Sequence, residues 1–435
     1  MTTDIQQAFE ERISEDELLN CMRCGFCLPA CPTYIETQDE VHSPRGRISL
    51  MMAVRNGEIE EVEEVEHTLN VCLGCRACEP ACPAGVNYGH MLEEARAIFQ
   101  EHKDVPLKEK ALRKATLEGL FTNPKKMEQA TSLLGFYQRS GLQKVTRKLK
   151  VMNFFPEHMQ QMERVLPESP KKNERQIAAR FPSKQSETKA TVAMFKGCLM
   201  DTLFHETNRS TIELLNQAGC EVVVPETQNC CGALHGHSGE KGGSLELAKQ
   251  NIVAFESVEA EYIITNAGGC GAFLHDYDHL LKNDLDWAER AKAFTDKIVD
   301  FSTILLEHDF INDHKLRIDP QIITYQDSCH LRNVMGVIDA PRILIQAIDQ
   351  VQFTELTGAD QCCGSAGIYN LTQPEMSMQI LDHKMEKVET TQATTIVTSN
   401  PGCLLQMKLG IEREGKTDKM RAVHLADLLL EALDE

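Results

Sequence analysis

The chain has no apolar run long enough to cross a bilayer; the stretch Leu425 to Leu433 is interrupted by Asp427 and Glu431. Met1 to Leu19 are acidic and amphipathic and lack the apolar core of a secretory leader. Positive charge is also in deficit. Lys and Arg number 45 against 65 Asp and Glu, a formal net charge of −20. Such a balance repels phosphate, which excludes a general nucleic-acid binder and disfavours attachment of the chain as a whole to anionic lipid. Glycine-rich nucleotide signatures are missing too. No G-x-G-x-x-G follows a β-type run, there is no P-loop, and Gly268-Gly269-Cys270-Gly271 fits neither pattern. No FAD or NAD is therefore expected on this chain. Residues 104–188, finally, contain no cysteine.

Elsewhere cysteine is abundant, at 17 residues. In a chain of this length without a leader, that number points to metal in a reducing compartment rather than to disulfides. The expected location is the cytoplasm, with any attachment to the inner face of a membrane made through a partner. Two runs, Cys21-Met22-Arg23-Cys24-Gly25-Phe26-Cys27-Leu28-Pro29-Ala30-Cys31-Pro32 and Cys72-Leu73-Gly74-Cys75-Arg76-Ala77-Cys78-Glu79-Pro80-Ala81-Cys82-Pro83, share the spacing C-x2-C-x2-C-x3-C-P. The short gaps let three thiolates on one loop reach three irons of a cube, while the cysteine before proline serves the other cube. This spacing predicts two [4Fe–4S] clusters, one on Cys21, Cys24, Cys27 and Cys82, the other on Cys72, Cys75, Cys78 and Cys31. Zinc sites instead use two close cysteine pairs per ion. Arg23, Arg45, Arg47 and Arg76 lie beside these runs, as surface residues or as cations that offset cluster charge.

Helical periodicity marks residues 4–19, the segment from Ile48 to Met52, and His90 to Lys103. A helical connector follows. It carries a basic run from Lys144 to Lys150, read as a solvated helix face or a docking site for an acidic partner, and it ends in a loose polar linker at Lys171 to Arg180. After about residue 188 the sequence repeats itself with a period of about 130 residues. Each unit reads strand, Cys, helix, strand, Cys-Cys-Gly, helix, strand, Gly-Cys, helix. The predicted strands are 190–195, 221–225 and 261–266, then 322–325, 351–354 and 395–398. Strands alternating with helices predict parallel sheets. The expected architecture is mixed, α+β overall. It comprises an N-terminal α-helical ferredoxin-type two-cluster domain (residues 1–103), a helical connector and linker (104–188), and two repeated α/β parallel-sheet cysteine-rich domains (189–315 and 316–435).

Every repeat cysteine follows the carboxyl end of a predicted strand, the edge where open parallel sheets bind ligands. Two sets result: Cys198, Cys230, Cys231 and Cys270, and Cys329, Cys362, Cys363 and Cys403. A further iron–sulphur cluster in at least one set, a structural zinc, or an empty set in one repeat are all chemically acceptable. Cys220 falls outside both sets and is read as a core cysteine. His205, His235, His237 and His330 crowd the same edges, as solvated loop residues or as hydrogen-bond donors and proton carriers; Asp327-Ser328-Cys329-His330-Leu331-Arg332 makes His330 the stronger candidate.

Cys24-Gly25-Phe26-Cys27, Cys31-Pro32-Thr33-Tyr34, Pro44-Arg45-Gly46-Arg47-Ile48, Cys72-Leu73-Gly74-Cys75-Arg76 and Cys231-Gly232-Ala233-Leu234-His235 together resemble the glycolate oxidase iron–sulphur subunit family. Related layouts occur in the anaerobic glycerol-3-phosphate dehydrogenase C subunit and in heterodisulfide-reductase-like proteins. The resemblance implies a complex with a FAD subunit that oxidises glycolate or D-lactate, this chain passing single electrons onward to an acceptor such as quinone. It implies electron transfer rather than substrate oxidation on this chain. Two alternatives stand beside it: reduction of a disulfide or quinone at a Cys-Cys-Gly site, and a zinc-bearing docking scaffold. Heterodisulfide-reductase relatives close the motif with Cys-x-x-Cys, but Ala267 and Asn400 stand three residues before Cys270 and Cys403, which argues against five-cysteine ligation.

Overall fold

The amphipathic start folds as two helices, Thr2–Arg12 and Glu15–Leu19, with the break at Ser14, which is extended. The computed structural model describes residues 2–103 and 105–433. Ile5, Phe9, Ile13 and Leu18 bury against Ile48, Met51 and Val54 of helix Pro44–Arg55 and against Met91, Ala95 and Ile98 of helix Tyr88–His102. Ser43 caps Pro44–Arg55 by accepting from the Gly46 amide at 3.0 Å. A side chain at Gly46 would strike the Glu40 carbonyl oxygen. Both cysteine runs are loops, held between these short helices.

The connector is helical, through Leu107–Arg113, a π-helical turn Lys114–Phe121, Pro124–Arg139, Leu142–Lys148 and Glu157–Val165. The linker after it is tied down rather than loose. Ser169 is buried, and Arg175 donates to Pro170 O (2.9 Å), Glu128 O (3.1 Å) and Ser169 Oγ (3.1 Å). A polar composition had concealed these backbone acceptors.

Two sheets follow. The first contains β1 (Arg180–Phe181), β2 (Ala190–Met194), β3 (Cys220–Val223), β4 (Tyr262–Thr265) and β5 (Ile298–Asp300), in the order β1-β3-β2-β4-β5. The second contains β6 (Arg317–Tyr325), β7 (Asp349–Phe353), β8 (Thr395–Thr398) and β9 (Arg421–His424), in the order β7-β6-β8-β9. Apart from β1, which runs antiparallel on β3, all pairings are parallel. The orders β3-β2-β4-β5 and β7-β6-β8-β9 correspond strand for strand, so the sequence repeat is a structural one. The edge strands β1, β5 and β9 are absent from the sequence reading because two to four residues of mixed polarity leave no alternation to detect.

The two sheets share one core. Val192, Met194 and Ile264 of the first and Ile323, Tyr325 and Val397 of the second bury in the same cluster, with Phe301, Leu344 and Leu428 from helices between them. Asp427 on the last helix, Leu425–Ala432, accepts from Thr207 Oγ1 (2.8 Å) and Ser210 Oγ (2.9 Å) across that boundary. Replacing fully buried Leu428 by Ala is expected to cost about 2–5 kcal/mol. Hydrogen exchange should then lose protection in both sheets; loss confined to residues beyond 316 would contradict the shared core.

Asp300 caps helix Phe301–Glu307 from a buried position, accepting from the Ser302 amide at 3.0 Å and from its hydroxyl, while its Oδ2 has no partner among the described residues. Burial pushes its carboxyl up to about 6, against the smaller opposing pull of Ser302. The folded state therefore holds this proton more tightly than the unfolded chain does. The resulting stability, about 3 kcal/mol, is fully present below the ordinary value of 3.8 and is lost as pH rises through 6. Denaturant titrations of Asp300→Asn should lack that fall; an unchanged pH slope would contradict it.

Candidate metal centres

Both N-terminal cysteine loops adopt the same backbone. The second residue after the leading cysteine has positive φ in each (Arg23 56°, Gly74 64°), and so does the fourth (Gly25 87°, Arg76 58°). Left-handed residues in such loops turn successive amides inward, toward an anionic group. Cys21, Cys27 and Cys82 pack on one apolar cluster, and Cys24 is exposed. Cys31 sits apart from its own run: with Cys72, Cys75 and Cys78 it lines a small cavity, walled by Pro32, Thr33, Arg47, Leu73 and Tyr88.

Arg47 lies fully buried at this cavity and has no carboxylate partner among the described residues. Its guanidinium donates to Thr68 O (3.0 Å), Thr33 Oγ1 (3.2 Å) and His42 O (2.7 Å). Burial opposes its charge, but Cys72, Tyr88 and Cys31 more than restore it. Burial likewise pushes the Cys72 thiol up, yet Arg47 and Arg96 bring it below the usual thiol range. The Gly74 amide (3.4 Å) and the Tyr88 hydroxyl (3.5 Å) donate to Cys72 Sγ. Burial drives Cys75 and Cys78 well upward, so a metal has to displace their protons. A buried cation beside Cys31 and Cys72, with an N–H and an O–H donor aimed at Cys72 Sγ, fits an anionic iron–thiolate group. The other arginines differ. Arg45 pairs with Glu40 (2.6 Å), Arg76 with Glu79 (2.8 Å) and Asp276 (2.5 Å), and Arg23 is an exposed turn residue.

In the repeats, the thiols of each set interact one with the next at the carboxyl edges of the strands. The sets are Cys198, Cys230, Cys231, Cys270 and, in the second sheet, Cys329, Cys362, Cys363, Cys403. Gly232 (φ 91°) and Gly364 (φ 90°) turn the two Cys-Cys-Gly loops identically, and a Cβ on Gly364 would approach Ser377 O to 2.6 Å. Asn400 joins the repeats, its Oδ1 accepting from the Gly269 amide (3.0 Å) and its Nδ2 donating to Cys403 Sγ (3.5 Å). Among the described residues, no three His, Cys, Asp or Glu side chains converge on a single ion position. Cys220 is fully buried, 3.4 Å from His308 Nδ1, and burial pushes its thiol up to about 12.

The second repeat is seated on the second N-terminal loop. Cys75, Leu73, Cys362, Tyr369 and Ile380 form one buried cluster, with Cys329 packed against it. His330 Nε2 lies 2.9 Å from Gly74 O, Asn333 Nδ2 donates to Cys75 O (3.0 Å), and Tyr369 OH donates to Val71 O (2.8 Å). The first repeat meets that loop through Arg76–Asp276 (2.5 Å) and helix Tyr88–His102 through His237–Glu93 (2.8 Å), Arg96 to His237 O (3.1 Å) and Asp276–His90 (3.2 Å). Burial would raise Asp276, but His90 and Arg76 hold it down at about 2. Burial lowers His330 to about 4, which keeps the ring neutral.

His205 and His235 are not solvated loop residues: both are fully buried on helices, and His235 Nε2 lies 3.0 Å from Leu117 O. Tyr88, Arg96 and Tyr369 went unnoticed in the sequence because their contacts are with other segments, and Asn400 was read only as the absence of a cysteine.

Comparison with known proteins agrees with this geometry. A 4Fe-4S dicluster domain matches residues 17–86, a cysteine-rich domain matches 192–275 and 323–408, and the linker region of the glycolate oxidase iron–sulphur subunit matches 108–166. These define an iron–sulphur protein with one dicluster domain and two cysteine-rich domains. A probable glycolate oxidase iron–sulphur subunit of Bacillus subtilis (strain 168) is 58% identical over 438 residues, covering 99% of each chain. The glycolate oxidase iron–sulphur subunit of Escherichia coli (strain K12) is 30% identical, covering 99% of this chain and 98% of that one. Lactate utilization protein A 2 of Bacillus mycoides (strain KBAB4) is 34% identical over 55% of this chain. A hypothetical protein from Helicobacter pylori shares the fold, with a TM-score of 0.53 at 10% identity, over all of this chain and 77% of that one. The chain belongs to the glycolate oxidase iron–sulphur subunit family, and iron–sulphur clusters are its cofactors. No described helix is long and apolar enough to cross a membrane.

If Cys31 serves the second run, Cys31→Ser and Cys72→Ser should leave the same residual electron paramagnetic resonance spectrum. Cys82→Ser and Cys27→Ala should share the other, with the cysteine-rich repeats still folded. A Cys31→Ser spectrum that matches Cys27→Ala would refute the exchange.

Proposed function

We propose that this chain is the one-electron conductor of a flavoprotein 2-hydroxy-acid dehydrogenase, working in the cytoplasm beside a FAD subunit that oxidises glycolate or D-lactate. Cys21, Cys24, Cys27 and Cys82 would hold one [4Fe–4S] cluster and Cys31, Cys72, Cys75 and Cys78 another. At least one of the two repeat sets, Cys198, Cys230, Cys231 and Cys270 or Cys329, Cys362, Cys363 and Cys403, would hold a third iron–sulphur centre. Such clusters, when bound, store and release one electron at a time. The division into residues 1–103, 104–188, 189–315 and 316–435 would separate the dicluster part, the connector and the two repeats.

The observation that carries this reading is the shared wall between Cys75 of the second loop and Cys362 and Cys329 of the second repeat. Leu73, Tyr369 and Ile380 exclude water there, Arg47 offsets negative charge on one side, and Asn333 and His330 pin the loop to the repeat. The names of the relatives support glycolate as substrate of the complex and lactate as its variant. A cavity beside Cys362, lined by Pro32, Glu36, His383 and Lys384, supports a second reading in which a disulfide or a quinone is reduced at this repeat.

Glycolate should bleach the visible absorption of the anaerobic chain only when the flavoprotein is added. Bleaching without it, or none with it, would contradict the conductor reading. Turnover of a disulfide or quinone by the isolated chain with an artificial donor, abolished in Cys362→Ser, would favour the second.

A further inference from the structure

Helix Leu142–Lys148 is turned inside out. Three of its polar residues bond back to the protein: Gln143 Nε2 donates to Glu163 Oε1 (2.7 Å), Arg147 Nη2 to Glu163 Oε2 (2.8 Å), and Thr146 Oγ1 lies 2.8 Å from Tyr137 OH, while Lys144 and Lys148 are exposed. Its apolar residues Leu142 (45% exposed) and Val145 (50%) face outward, as does Leu149 (69%) just past its end. The short turn Val151–Phe154 that follows carries the most protruding aromatic of the connector, Phe154, at 90% exposure, next to Phe155 at 47%. A helix normally buries its apolar face, so this arrangement leaves a surface that water solvates poorly.

Charge adds a second observation. Residues 142–156 contain Lys144, Arg147, Lys148 and Lys150 and no carboxylate, in a chain whose net charge is −20. Arg147 is held by Glu163, while Lys144, Lys148 and Lys150 pair with no carboxylate among the described residues. Glu157 is the nearest acidic residue in sequence, beyond Pro156.

We propose that residues 142–155 dock this chain directly on an anionic phospholipid surface. Protruding phenylalanines and leucines insert at the headgroup boundary, and unpaired lysines on the same turn meet lipid phosphates. A protein partner would have to supply a pocket for Phe154, whereas a bilayer interface accepts a protruding ring anywhere along its plane. The acidic remainder is repelled by the same surface, so contact is confined to this turn and orients the molecule. The basic run is thus more than a solvated face, and the attachment needs no intermediary.

Flotation of the full-length, cluster-loaded chain with vesicles tests this. Vesicles of phosphatidylcholine containing about one third phosphatidylglycerol should carry the protein upward, less so at high salt, while pure phosphatidylcholine should not. Combined Lys144→Glu, Lys148→Glu and Lys150→Glu should reduce partition by at least about tenfold. Phe154→Ser with Phe155→Ser should weaken binding while its salt dependence persists. Unchanged visible absorption and circular dichroism verify that both variants are folded. Wild-type protein that ignores anionic vesicles, or folded variants that bind as well as wild type, would overturn the proposal. So would loss of a co-purifying protein in the variants while wild type ignores lipid, which would assign the face to a protein partner.

Discussion

Ionising sulphur away from water is the constraint on which this structure turns. Burial holds the protons on Cys75 and Cys78, and neighbouring thiols together with burial hold them on Cys329 and Cys363. Bringing several such sulphurs together multiplies the difficulty, since each anion repels the next. The fold answers it with fixed donors and cations. Arg47, with no carboxylate partner among the described residues, faces Cys31 and Cys72; the amide of Gly74 and the hydroxyl of Tyr88 point at sulphur. An unpaired buried guanidinium is unfavourable by itself. Together with thiolates and iron it becomes a balanced group, which couples metal loading to the stability of the loop that carries it.

The same economy of space explains how the parts are arranged. The duplicated sheets do not stand as separate bodies: they bury against one another, and Asn400 joins the loops that carry the last cysteine of each set. Only the second repeat presses its cysteines on an N-terminal loop; the first contacts a neighbouring helix through charged and imidazole groups. The duplication has therefore produced two similar cradles in unlike surroundings. Neutral His330 at the wall between loop and repeat, and ionised Asp276 between Arg76 and His90, fix those contacts without adding a mobile proton.

Much of this was legible in the residues. Cysteine spacing and its repetition announced the two loops and both sheets, because ligand geometry and strand–helix alternation leave regular marks on a sequence. Strands of two to four residues, β1, β5 and β9, left none. Nor does residue type separate Arg47, sealed beside sulphur, from Arg23, which lies within the first cysteine run and is exposed. His205 and His235 looked like loop residues because the cysteines beside them dominated the reading, and only tertiary packing reveals that both are buried. The seating of Cys362 against Cys75 joins segments far apart in the chain, and local pattern carries no trace of it.

The central claim is that these thiols hold iron–sulphur clusters. Iron and acid-labile sulphide measured on the anaerobically purified chain test it most directly. The account predicts brown protein with iron and sulphide in equal amounts, sufficient for at least two cubes per chain. Colourless protein with only stray iron, or stoichiometric zinc in its place, would contradict it.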